Sequence, residues 1–175
     1  MKKLAASLFA CAAFLLAGTV NATPIQWNLS GVTFNDNTTL SGSFFYDAAT
    51  STYSNWSLTS TAGTLAGYAY TTANSASYFL SSPTEFMVIA NDYSRYINLN
   101  FVAPLTALGG TVALELTDAP RLWDTGSWEC MNCGSPRVVT AGSVSTASTN
   151  VPEPTSIALL GLALAGLGLS RRKRN

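Results

Sequence analysis

The sequence predicts an all-β antiparallel sandwich, jelly-roll-like, carried between two processing segments. Three observations predict it. Apolar and polar residues alternate in short runs through residues 23–142, as in Ile25, Trp27 and Leu29 or Leu40, Gly42, Phe44 and Tyr46. Turn residues recur between the runs at the 8–12-residue spacing of sandwiches and barrels. No window of this region carries a helical apolar repeat.

Taken in order, Gly31 shifts the phase of the first run so that Val32 and Phe34 continue it, which predicts a bulge. Asn35-Asp36-Asn37 turns the chain into the Leu40–Tyr46 run, and the two runs predict a hairpin. Trp56 and Leu58 mark a third strand, Ala66, Tyr68 and Tyr70 a fourth, and Tyr78 and Leu80 a fifth. Pro83 breaks the chain before Phe86-Met87-Val88-Ile89-Ala90, which is apolar on both faces and predicts a central strand. Ile97, Leu99 and Phe101 alternate next, then Val112, Leu114 and Leu116. Residues 118–127 are irregular, and a last pair of strands is expected near Trp128–Cys130 and Arg137–Val144. Eight to ten strands suit a jelly roll, with an immunoglobulin-like topology as the close alternative. Residues 143–150 are small and polar and predict a linker.

The ends differ in composition from the body. Met1-Lys2-Lys3 and the apolar run from Leu4 to Gly18 predict a secretory signal peptide over residues 1–22, cut after Ala22. At the other end Val151-Pro152-Glu153-Pro154 makes a stiff extended tether, because the two prolines fix φ and disfavour helix before them. Residues 155–170 hold six Leu, one Ile and no charge. These seven contribute about −3 kcal/mol toward membrane insertion, partly offset by Gly161, Gly166 and Gly168. Arg171, Arg172, Lys173 and Arg174 form a basic stop expected to stay in the cytoplasm, which places the body outside. The segment is short for a bilayer core of about 20 residues, and the basic side chains can snorkel to make up the difference.

The net charge of zero comes from these ends. Residues 23–150 hold three Arg (Arg95, Arg121, Arg137) against eight carboxylates, a balance of −5, which excludes nucleic acid as a natural partner. His is absent, so most catalytic triads, neutral-pH general bases and transition-metal sites are excluded. No cofactor and no metal are expected. Asp36 or Asp92 among Asn residues has Ca²⁺ donor chemistry but no loop spacing for it, and reads as turn-forming. A secreted glycoside hydrolase would draw its carboxylate pair from Glu85, Asp92, Glu115, Asp118, Asp124 and Glu129, and is the weakest reading. Cys130-Met131-Asn132-Cys133 holds the two cysteines left after signal removal, and export predicts a disulfide between them. Trp27 and Trp56 are in phase with Leu29 and Leu58 and are expected in the core. Trp123 and Trp128 flank the irregular stretch and are the candidates for stacking on a sugar.

Val-Pro-Glu-Pro, the short Leu/Gly/Ala-rich span and the Arg-rich end together resemble the PEP-CTERM sorting signal of exopolysaccharide-producing Gram-negative bacteria. The resemblance covers about Val151 to Arg174. It implies recognition of Pro152, Glu153 and Pro154 by exosortase, a membrane-embedded transpeptidase-like enzyme that removes the tail. It also implies signal peptidase and, transiently, the inner membrane as partners during export. The runs Gly31–Asp36, Leu40–Asp47 and Ala103–Thr111 are similar to a β-rich ectodomain found with such signals. The expected role is a non-enzymatic cell-surface or matrix protein associated with exopolysaccharide or biofilm. A carbohydrate-binding module with the same address is the alternative.

Overall fold

The computed structural model describes residues 23–79, 81–117, 126–134 and 136–147. The expected signal peptide, transmembrane segment and sorting signal lie outside them. Among the described residues no helix is long and apolar enough to cross a membrane.

Ten strands follow in order: β1 Ile25–Phe34, β2 Thr39–Asp47, β3 Thr52–Ser60, β4 Tyr68–Thr71, β5 Ser75–Ser77, β6 Glu85–Ala90, β7 Arg95–Asn100, β8 Thr111–Ala113, β9 Trp128–Met131 and β10 Arg137–Thr146. Every pairing is antiparallel. The order across the sheet is β4-β3-β2-β1-β10-β9-β7-β6-β5, with β8 beside β10. The fold is therefore all-β and antiparallel, as expected, but its strands lie on one continuous path where a jelly roll has two sheets. The physical reason is the length of β10. On one edge it pairs with β1 from Trp27↔Thr146 to Phe34↔Val139. Its other edge is divided between β9 at Arg137 and Val138 and β8 at Ser143 to Ser145.

The sheet curls until its two ends meet. Its edge strands β4 and β5 are neighbours in sequence, joined by a turn in which Asn74 Oδ1 accepts from Thr71 N at 2.8 Å. Across the interior, Phe44 of β2 lies 4.9 Å from Phe86 of β6, and Tyr53 of β3 stacks on Phe86 at 4.1 Å. Tyr53 Oη donates to Ser82 O, and Trp56 Nε1 donates to Ser75 Oγ at 3.0 Å. The result is a nearly closed, barrel-like sheet around one aromatic-rich core that contains Trp27, as expected.

The bulge in β1 is present. The β1–β2 register shifts between Asn28 and Val32, and Gly31 has φ +61°. Three expectations need correction. The run Phe86–Ala90 is one strand from the end of the path and not central. It is apolar on both faces because a second cluster covers its outer face, where Met87 and Ile89 join Trp128, Cys130 and Val138. The fifth strand is Ser75–Ser77, just before Tyr78, because the tight β4–β5 turn starts it early. Residues 143–146, expected as linker, complete β10, since Val144 is fully buried and both edges of that segment are paired.

Candidate functional site

Four of the described charges, Asp36, Arg95, Glu129 and Arg137, converge on one buried cluster. Arg137 opens β10 and Glu129 sits opposite it on β9 in the pairing register. Arg137 Nε and Nη2 both donate to Glu129 Oε2, at 2.8 and 2.5 Å. Arg137 Nη1 donates to Thr38 Oγ1 at 2.7 Å, to Thr61 O at 3.0 Å and to Asp36 Oδ2 at 3.3 Å. The other Glu129 oxygen accepts from Ser60 Oγ at 2.8 Å and Tyr70 Oη at 2.9 Å, and Arg95 Nη1 lies 3.9 Å away. Arg95 Nη2 donates to Ala66 O. Arg137 also stacks over the Phe34 ring at 4.3 Å.

Burial raises the cost of ionising the Asp36 carboxyl. Hydrogen bonds from Thr38 and from the amide and hydroxyl of Thr64 more than offset it and hold the group well below the usual carboxylate range. Burial, with the Glu129 charge beside it, pushes the Tyr70 hydroxyl far above its ordinary value. Two cations and two anions thus neutralise each other inside the fold, which is the condition for burying them.

This arrangement holds strands together and offers little to a substrate. Glu129 is fully buried, and both of its oxygens are already occupied by Arg137, Ser60 and Tyr70. Of the carboxylates named for a hydrolase, Asp92 is an exposed turn residue that accepts from Ser94 N at 3.0 Å and Ser94 Oγ at 2.7 Å. Those bonds from Ser94 keep its carboxyl below the usual range. Glu85 and Glu115 are half-buried, the first opposite Asn100 in the β6–β7 register. Asp118 and Asp124 lie outside the described residues. Asp36 and Asp92 act as turn formers, and among the described residues no three His, Cys, Asp or Glu side chains gather as a metal site.

Of the two tryptophans named for sugar stacking, one is described. Trp123 lies outside the described residues. Trp128 is 1 % exposed and belongs to the second apolar cluster, so its ring turns no face to solvent. Cys130 and Cys133 are joined as a disulfide across the β9–β10 turn, with Cys130 fully buried in that cluster. Among the described residues the exposed aromatic rings are Phe79 and Tyr93, at 79 % and 70 %. Sequence reading missed both. Phe79 sits beside an expected strand, and Tyr93 lies within a turn where polar residues hid it. A Tyr between Asp and Ser in a hairpin turn was the available signal.

The chain leaves the barrel at the end of β10. Thr146 N donates to Gly110 O and Gly110 N donates to Thr146 Oγ1, both at 2.9 Å. Gly109 has φ +68°, and a Cβ there would lie 2.5 Å from Thr146 Oγ1, so a larger residue would be strained and would push the Thr146 side chain off Gly110 N. The root of the C-terminal segment is thereby fixed to the fold. No curated protein and no solved structure matches the chain. A few residues beyond this root, residues 150–173 match the model of the PEP-CTERM protein-sorting motif, so the chain carries the sorting signal of an exported protein processed by exosortase.

Proposed function

We propose that the barrel is the mature part of a non-enzymatic cell-surface or extracellular matrix protein of a Gram-negative bacterium. The observation that carries this reading is the sorting motif four residues beyond the last strand residue, Thr146. In this reading residues 1–22 are a signal peptide removed after Ala22. Residues 155–170 hold the precursor in the inner membrane, and Arg171 to Arg174 stay in the cytoplasm. Exosortase reads Val151, Pro152, Glu153 and Pro154 and releases the body to the exterior, where exopolysaccharide or biofilm is the expected surrounding. Both Arg side chains among the described residues are spent on buried pairs. That supports a scaffold in preference to a catalyst, and argues against anionic polymers as partners.

The test is intact mass spectrometry of the protein recovered from the cell exterior. We expect a chain that begins at Thr23 and lacks the apolar segment and basic stop. A Pro152→Ala/Glu153→Ala variant should remain as the longer membrane form. Exterior protein that still carries residues 155–175 overturns processing by exosortase.

A further inference from the structure

We propose that the groove beside the edge strand β5 binds a neutral polysaccharide, stacking sugar rings on Phe79 and Tyr93. The groove is about 470 Å³ and is lined by Ser77, Tyr78, Phe79, Ile89, Asn91 and Tyr93, among others. This volume falls within the usual range of small-ligand sites. Tyr78 and Phe79 pack ring to ring at 4.3 Å, which steadies the exposed Phe79 ring. Tyr78 is in turn packed against the Trp128 cluster, so the platform rests on the barrel. Asn91 is fixed by its amide, which donates to Asn74 O at 2.9 Å, and its side-chain Nδ2 donates to Ala73 O at 3.4 Å. Its Oδ1 is left to accept from a ligand hydroxyl, and Ser77 Oγ, which donates to Ser81 Oγ at 3.2 Å, can still accept from one. Flat apolar rings beside amide and hydroxyl groups are the chemistry that recognises a pyranose, whose axial C–H face is apolar and whose rim is polar.

Tyr93 supplies an independent argument. Its φ is +59°, in the left-handed region that Gly and Asn occupy at lower cost than an aromatic residue. The hairpin holds it there through Tyr93 N to Ala90 O at 2.8 Å and the two Ser94 bonds to Asp92. Folding alone favours Asn or Gly at this position. A ring held out to solvent at a strained position, beside a groove, is the pattern of a binding residue.

Charge and edge length select the ligand class. No lining side chain is charged, and the residue between the lining residues Asn91 and Tyr93 is the exposed acid Asp92. An acidic polymer is repelled and a neutral one is not. A peptide adding to the sheet would find only the three residues of β5 to pair with.

The test is calorimetric titration of the exported, processed protein with cellohexaose, chitohexaose and hexagalacturonate. We expect saturable binding of a neutral hexamer, at least tenfold tighter than the anionic one. Phe79→Ala/Tyr93→Ala should weaken it at least tenfold. Tyr93→Asn is the folding control, since it should keep or raise the melting temperature while weakening binding. The proposal is overturned by no binding of either neutral hexamer, by preference for hexagalacturonate, or by binding that ignores these substitutions. Tail processing is unaffected by every one of these outcomes, so the sorting reading is tested separately.

Discussion

At the residue scale, Arg137 and Glu129 carry the largest single energetic stake. Each is buried, and each is satisfied chiefly by the other. Removing one leaves an uncompensated charge inside the barrel. Glu129→Ala or Arg137→Ala is therefore expected to cost about 3–5 kcal/mol, read as a shift of the denaturant midpoint. The double variant should cost clearly less than the sum of the two, because the second substitution removes the stranded partner. Strict additivity would mean that the pair does not interact. Sequence reading names Glu129 only among the six carboxylates open to a hydrolase, since alternation gives no sign of a carboxylate facing inward. Its partner was legible only through register. Once Val138 pairs with Trp128, Arg137 must stand opposite Glu129.

At the element scale, the close approach of β2 to β3 depends on Gly42. Its φ is +126°, and a Cβ there would lie 1.9 Å from Ser57 O, a backbone atom that cannot move aside alone. Gly42→Ala should cost on the order of 2–4 kcal/mol, combining backbone strain and a forced shift of the strand pair. Gly134→Ala is the matched control. No atom lies within 4 Å of its added Cβ and its φ is not positive. It should leave the thermal midpoint within about a degree or raise it slightly, because the unfolded chain loses freedom. Equal losses in the two variants would place the cost outside the β2–β3 contact. Element positions were largely readable, and Gly31 in particular announced its bulge. The misplaced β5 shows the limit, because a three-residue strand is defined by a partner, not by its own pattern.

At the scale of the whole molecule, the buried titratable groups set the pH range in which the barrel is stable. Asp36 has a folded pKa below its ordinary value of 3.8. Its contribution is present above that value and is lost as the pH falls below it, while the folded group is still ionised and the unfolded one takes up a proton. Tyr53 and Tyr70 are shifted the other way, upward, chiefly by burial. Their contribution is present below the ordinary tyrosine value of about 10 and is lost as the pH rises beyond it. Chemical denaturation across pH should give a plateau with losses below about 4 and above about 10. Asp36→Asn should flatten the acidic limb, and Tyr70→Phe the basic one. A limb unchanged by its substitution would assign the loss to other groups.

The sequence by itself determined the address and the class of fold. The sorting motif is matched by its residue order alone, and alternation with turn spacing is a local property of strands. Only the tertiary structure decided which strands neighbour each other, that one long strand joins both halves of the sheet, and that Arg95 and Arg137 are buried. Among the described residues it also buried Trp128 and left Phe79 and Tyr93 as the exposed aromatic rings. Those outcomes depend on register and on curling of the sheet, which bring residues dozens of positions apart to the same face. A one-residue shift in pairing turns every side chain to the opposite face, and local pattern alone does not fix which strand supplies the partner.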